Sequence, residues 1–153
     1  MRESVKAGVV MSFVVSEELS FLVPVEIQYQ SGEPYAVRMT FHLPGDPPLI
    51  WVFGRELLFD GIHRPSGEGD VRIAPIVPST PTSPAGPEGL PDVGITLQVG
   101  RERALFRASA APLLVFLDRT DELVPLGQES AYGRFDSRLE EALGRILAEE
   151  NAG

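Results

Sequence analysis

The sequence predicts an α+β fold: about seven antiparallel strands in two groups, a short helix between the groups and two helices at the C-terminal end. Three observations predict it. Apolar residues recur at every second position in several separate stretches, the pattern of strands with one buried face. Short turns rich in Gly, Pro and Asp separate most of these stretches, so neighbouring strands pair as hairpins. Helical spacing of apolar residues is confined to one short segment after the fourth strand and to the C-terminal end.

The first strand carries Val9, Met11, Phe13 and Val15 in alternation. Arg2 and Lys6 precede it as in a signal peptide, but Glu3 interrupts the basic stretch, and Glu17 and Glu18 stand where a small-residue cleavage site belongs. Phe21, Val23, Val25, Ile27 and Tyr29 form the second alternating set; Pro24, which cannot donate to a ladder, predicts an edge or a bulge there. Ser31–Pro34 is a turn. Tyr35–Leu43 alternates again, and Pro44-Gly45-Asp46-Pro47-Pro48 breaks it. Leu49–Phe53 is almost wholly apolar around Trp51, which predicts a central strand covered on both faces. Arg55–Asp60 reads as one and a half turns of helix, with Gly61 placed to end it. His63–Asp70 is a turn before a strand at Val71–Ile73.

Pro75–Pro91 is rich in Pro, Gly, Ser and Thr and predicts a flexible loop at about 78–91 within one domain, 1–153. Val93, Ile95, Leu97 and Val99 alternate, Gly100-Arg101-Glu102 turns, and Ala104, Phe106 and Ala108 return. Ser109 is placed to cap a helix carrying Leu113, Phe116 and Leu117 and fading near Asp118–Thr120. A last helix begins near Asp136–Ser137, where Ser137 and Glu140 can form a capping box. Phe135, Leu139, Leu143, Ile146 and Leu147 are its apolar stripe.

Composition narrows the function. With 153 residues the chain can bury roughly 68–70% of its unfolded surface and needs no staples. It has no cysteine, which excludes disulfides, thiolate metal sites and a cysteine nucleophile. A net charge of −9 argues against nucleic acid, whose binders need basic faces, and against an anionic membrane leaflet. The longest later apolar run, Ala110–Leu117, is far below the ~20 residues of a membrane helix, so a soluble chain without membrane insertion is expected.

Candidate chemistry is sparse. Asp60, His63, Glu68 and Asp70 have metal-ligand types, but the spacing fits no EF-hand and no two-histidine zinc site. His63, Ser66 and Asp70 have the types of a nucleophilic triad without a nucleophile elbow around Ser66. Gly67-Glu68-Gly69 precedes no helix, so it is not a dinucleotide fingerprint. His42 falls on the polar face of its strand. Neither a metal nor a cofactor is expected, and the chain is not expected to be an enzyme. Arg101, Arg103 and Arg107, with Arg38, Arg55, Arg64 and Arg72, form a basic patch only if folding gathers them.

The remaining candidate is a partner-binding surface at the short helix: Arg55, Glu56, Leu57, Leu58, His63 and Arg64. Leu57, Leu58 and Phe59 are consecutive and cannot all face one core, so at least one is expected at the surface amid charges. Such a mixture of apolar anchor and polar rim is what interfaces use. The plainer reading of the same charges is that they cap and solubilise a short helix.

Several stretches resemble one family. The run PYAVRMTFH at Pro34–His42, then WVFGRELLFDGIHRPSGEGDVRI at Trp51–Ile73, is similar to the SsgA-like proteins of spore-forming actinobacteria. So are Phe116–Asp121 with Val124-Pro125, and Phe135-Asp136, Leu139-Glu140 and Ile146–Glu149. The resemblance runs from about Val9 to Glu149 and contains no catalytic signature. It implies a fold like that of Whirly proteins and mitochondrial guide-RNA-binding proteins, assembled as a trimer. It also implies a non-enzymatic regulator of sporulation-specific cell division, cytoplasmic and at the septum. Its partners would be the tubulin-like division protein FtsZ or another SsgA-like protein, with septum-site selection or septal wall control as the task. The Whirly-like fold also carries an alternative, a single-stranded nucleic-acid-binding module.

The Pro-rich loop has few apolar side chains, and shortening a loop changes closure entropy only modestly. Deleting Ser79–Glu88 is expected to leave one cooperative unfolding transition in a denaturant titration; loss of cooperativity would make the segment structural.

Overall fold

The computed structural model describes residues 3–67, 69–76 and 90–130. The element order is β1 (Ser4–Val14), β2 (Ser20–Gln30), β3 (Ala36–Phe41), β4 (Leu49–Gly54), α1 (Arg55–His63), β5 (Val71–Pro75), β6 (Val93–Val99), β7 (Glu102–Ala108) and α2 (Ala110–Leu123). The Pro-rich loop at about 78–91 lies almost wholly outside the described residues. The expected last helix from Asp136 lies wholly outside them.

The expected two groups of strands are two meanders, β1 to β4 and β5 to β7. They merge into one antiparallel seven-stranded sheet of order β4-β3-β2-β1-β7-β6-β5. The seam is short: Ser12, Phe13 and Val14 of β1 pair with Arg107, Phe106 and Leu105 of β7. The alternating residues behave as their period requires. Val23, Val25, Ile27 and Tyr29 of β2, Val37, Met39 and Phe41 of β3, and Val93, Ile95 and Leu97 of β6 are all buried. The sheet curls over this face. Phe41 and Phe106 lie on strands with β2 and β1 between them, a separation of about 14 Å in a flat sheet. Their ring centroids are 4.4 Å apart.

Four strand and helix expectations need correction. β4 is an edge strand, not a central one. Its inner face packs Phe53 and half-buried Leu49 and Trp51 against the core, while Ile50 and Val52 are exposed apolar residues on its outer face. An all-apolar run therefore stood for one buried face and one exposed face. Pro24 lies in an interior strand without a bulge. β3 ends at Phe41, and the His42 N–H donates to the Pro24 carbonyl at 3.0 Å. The proline's missing donor thus falls at the last rung, where it forfeits only the reciprocal bond to the His42 carbonyl and interrupts no rung beyond it. The helix α2 runs to Leu123 rather than fading near Asp118. Ser109 occupies its N-cap position with extended backbone, but makes no side-chain cap hydrogen bond.

Gly61 does not end α1; the helix continues to His63. A Cβ at Gly61 would overlap the Cβ and Cγ2 of Ile73 and lie 2.9 Å from its carbonyl oxygen. The glycine is there to let α1 lie directly on β5. Helix-interior glycine costs about 1 kcal/mol of propensity relative to alanine, and here the close approach outweighs that cost. Gly61→Ala is therefore expected to destabilise the fold by roughly 1–3 kcal/mol despite its better propensity, measured by chemical denaturation. A neutral or stabilising result would show that α1 does not pack this closely on β5.

Candidate functional site

Helical spacing splits α1 into two faces. Arg55, Leu58 and Ile62 stand at i, i+3 and i+7, and all three are fully buried; Gly61 joins them. Glu56, Phe59 and His63 stand at the same spacing on the outward face and are exposed. Leu57 is half-buried between the two faces. The helix has only nine residues and no side-chain cap, so tertiary contacts must hold it. The Arg55 N–H donating to the Tyr35 carbonyl at 2.7 Å ties its first turn to the β2–β3 hairpin.

Arg55 is the correction that matters most. It is not a rim residue; it is fully buried and holds α2 from its C-terminal end. Nη1 donates to the carbonyl of Val124 at 2.6 Å and to the carbonyl and hydroxyl of Thr120 at 3.3 and 3.4 Å. Nη2 donates to Glu129 Oε1 at 2.6 Å and to the Pro125 carbonyl at 3.4 Å. The guanidinium lies over the Tyr29 ring, 4.8 Å from its centroid. The last turn of α2 has no basic residue of its own, so Arg55 supplies the cation that the carbonyl end of a helix favours. Thr120 turns inward because its hydroxyl donates to the Leu117 carbonyl at 2.7 Å. Leu58 is also buried and is not available to a partner.

The electrostatics follow from burial. Burial acts to raise the Glu129 carboxyl, but the Arg55 hydrogen bond, backbone donors and the Arg55 charge together hold it below its ordinary 4.5. Burial pushes the Tyr29 hydroxyl up to about 12, against the lowering effect of Arg55. The Tyr29 hydroxyl donates to the Pro34 carbonyl at 3.0 Å, which closes the network onto the β2–β3 turn.

The outward face is a different environment. Phe59 is 38% exposed and packs against the His63 ring in a tilted arrangement, with centroids 5.1 Å apart and planes at 50°. The His63 Nδ1–H donates to the Phe59 carbonyl at 2.9 Å. Arg64 pairs with Asp60 at 3.3 Å on the surface. Of the six residues picked from sequence, the fold thus gathers Glu56, His63 and Arg64 at the surface with Leu57 at their edge, and withdraws Arg55 and Leu58. It adds Phe59. Thr120 and Glu129, which complete the buried network, carry no sequence signal near α1. The spacing of Arg55 with Leu58 and Ile62 was the signal that could have placed Arg55 inside.

Among the described residues the alternative chemistries have no assembled site. Among the described residues no group of three or more His, Asp or Glu side chains is placed to hold a metal ion. His63 spends Nδ1 on the Phe59 carbonyl, and the Ser66 hydroxyl donates to the Arg64 carbonyl at 2.9 Å, so the two do not form a nucleophile–base pair. Three of the seven candidate arginines are committed to carboxylates: Arg107 pairs with Asp92 at 2.8 Å, Arg64 with Asp60 and Arg55 with Glu129.

Among the described residues, a curled antiparallel sheet with α1 and α2 locked together by one buried arginine, and an apolar and charged face of α1 outside, places the chain in the α+β class. Comparison with known proteins gives the family. A family model described as the Streptomyces sporulation and cell division protein SsgA matches residues 23–129. The sporulation-specific cell division protein SsgB of Streptomyces coelicolor is 40% identical over 149 residues, covering 97% of this chain and 99% of the relative. That of Thermobifida fusca is 39% identical over 140 residues, covering 92% and 95%. The solved SsgA-like sporulation-specific cell division protein of Thermobifida fusca superposes with a TM-score of 0.76 at 38% identity, covering 92% of this chain and 96% of that one. A Streptomyces coelicolor structure, from work on SsgB mutations that correlate with longitudinal cell division, gives 0.75 at 39% identity, covering 86% and 97%. The chain belongs to the SsgA family, and its relatives are sporulation-specific cell division proteins.

Truncating Arg55 would leave the Glu129 carboxylate buried without its partner and the α2 carbonyls without a donor. Arg55→Ala is expected to cost about 3–5 kcal/mol of stability in denaturant titrations, and Arg55→Lys should restore only part, lacking the planar fork. The pH dependence follows with its sign. Glu129 is held below its unfolded value, so its contribution is complete above about pH 4.5 and is lost as pH falls toward the folded value. Glu129→Gln should flatten that acid limb; an unchanged limb would remove Glu129 from the network.

Proposed function

We propose that this chain is a non-enzymatic adaptor of sporulation-specific cell division. It works through protein contacts made by the outward face of α1 and the turn after it: Glu56, Leu57, Phe59, His63 and Arg64. Arg55 and Leu58 position that face from beneath. The partner is the tubulin-like division protein FtsZ or another SsgA-like protein, met in the cytoplasm at the septum, and the chain acts as a homotrimer. The observation that carries the reading is Phe59, an aromatic ring 38% exposed and ringed by Glu56, Asp60, His63 and Arg64, on a helix whose other face is fixed. A pre-positioned aromatic anchor with a charged rim is the arrangement of interface hot spots. Exposed Ile50 and Val52 on the edge strand β4 support assembly with further chains. A protein partner is favoured over single-stranded nucleic acid because three arginines of the candidate basic patch are paired with carboxylates.

The test is the pair Phe59→Ser and Arg64→Glu in a fluorescent fusion expressed in sporulating hyphae. Arg64 is exposed and the Phe59 ring partly so, so the Tm is expected to fall by no more than about 6 °C and the chain to stay folded. Septal localisation is expected to be lost, while light scattering still gives the mass of three chains. Retained localisation would place the partner surface elsewhere; a monomer in the unsubstituted chain would remove the trimer.

A further inference from the structure

The β1–β2 hairpin is the second surface that stands out, and it is separate from α1. Four of the eleven exposed large apolar side chains among the described residues, Val15, Leu19, Phe21 and Leu22, fall within eight consecutive positions at its tip. Leu22, at 74%, is the most exposed of all eleven. Glu17 and Glu18 occupy the turn between the strands.

The backbone there is incomplete. β3 pairs with β2 only from Tyr29 to Val25, and the His42 N–H to Pro24 carbonyl bond is the last rung. β2 runs on to Ser20 beside β1 alone. Backbone groups alternate sides along a strand, so Ser20 and Leu22 share the orientation of Pro24. Their N–H and C=O groups point away from β1, with no strand beside them among the described residues. Open edges of this kind are usually blunted by charge or proline. Here the stretch Leu19–Val23 carries neither; Pro24 and Glu18 only bound it. On the outer face, Leu22 adjoins exposed Val10 and Pro24, which help line an open groove of about 440 Å³ over Gly8.

We propose that this edge of β2 takes an extended segment of another protein as an added antiparallel strand, in the place that β3 vacates. The segment is apolar and ends in Lys or Arg. Its direction follows from β3: a strand continuing that path runs from Val23 toward Ser20, so its C-terminal end arrives beside Glu18 and Glu17. Apolar side chains on its two faces meet Leu22 outside and Phe21 inside, while the outward N–H and C=O groups of Leu22 and Ser20 set the register. The glutamates select the basic terminus and steer its approach.

The experiment uses the full chain, isotopically labelled, titrated with an acetylated octapeptide of five valine and leucine residues followed by three lysines, so that both faces of the added strand are apolar. Controls are the sequence-reversed peptide and one ending in three glutamates. Expected are amide shifts centred on Ser20 and Leu22, and binding at least about tenfold tighter than to either control. Glu17→Lys with Glu18→Lys, both exposed, should weaken binding by roughly tenfold and leave the fold intact. Leu22→Pro removes an amide that the fold does not use, at a position equivalent to Pro24, and should abolish binding with little change in Tm. Equal binding of the reversed or acidic peptide, or shifts centred elsewhere, would overturn the proposal. So would a Leu22 amide whose exchange protection rises with protein concentration, because a second copy would then hold the edge.

Discussion

One guanidinium joins α1 to the C-terminal end of α2. Taking an arginine wholly out of water costs several kcal/mol, and an arginine at 0% exposure survives only if its donors are met. Here Nη1 and Nη2 reach three carbonyls, a hydroxyl and a carboxylate, while the ring of Tyr29 covers one face. Nε is buried without a hydrogen-bond partner among the described residues, so the fit is good but not complete. A methionine of similar length would fill the space and leave the carbonyls of Thr120, Val124 and Pro125 unanswered. A lysine would answer only some of them. The interaction therefore fixes geometry more than it adds stability. It sets where α2 stops, how the chain leaves Val124, and how α1 sits beneath both.

That geometry is what makes a short helix usable as a surface. Nine residues cannot persist alone as a helix, and α1 is held from three sides. Arg55 ties it to α2, the Arg55 amide ties it to Tyr35, and Gly61 seats it on Ile73. Each contact lies on the inward stripe. The outward stripe of Glu56, Phe59 and His63 makes none of them, so in the proposed adaptor role it can meet a partner while its backbone stays in place. An anchor presented this way loses little conformational entropy on binding.

What was legible in the sequence follows from how local each signal is. The alternating sets Phe21–Tyr29, Val37–Phe41 and Val93–Leu97 were readable because a strand with one buried face writes that face into neighbouring residues. β4 was misplaced because exposed Ile50 and Val52 imitate burial; composition cannot separate a covered face from an apolar open one. Gly61 looked like a helix stop because its true reason, Ile73, belongs to another element. Arg55 looked like a surface charge for the same cause: its partners Thr120 and Glu129 lie 65 and 74 residues away. In the candidate site, Glu56, His63 and Arg64 could be read because exposed polar residues need no distant partner. The inward stripe of Arg55, Leu58 and Ile62 was written in their helical spacing, but what makes a buried arginine tolerable there, Thr120 and Glu129, lies in distant parts of the chain.

The charge balance connects the outward surfaces to their partners. Thirteen basic residues face twenty-two acidic ones, and at least three of the basic ones are already committed to carboxylates of the same chain. The net field outside the molecule is therefore acidic. Within a Debye length of about 8 Å at physiological salt, that field favours cationic segments and repels acidic ones. It acts on approach, whereas departure is governed by whatever apolar contact has formed. The two effects sit on different residues here: glutamates such as Glu17, Glu18 and Glu56 beside exposed Leu22 and Phe59. Salt should thus slow encounter at either surface while leaving residence time largely unchanged, and loss of an apolar anchor should do the reverse. If the proposed surfaces act as argued, charge selects the partner and the apolar anchor holds it.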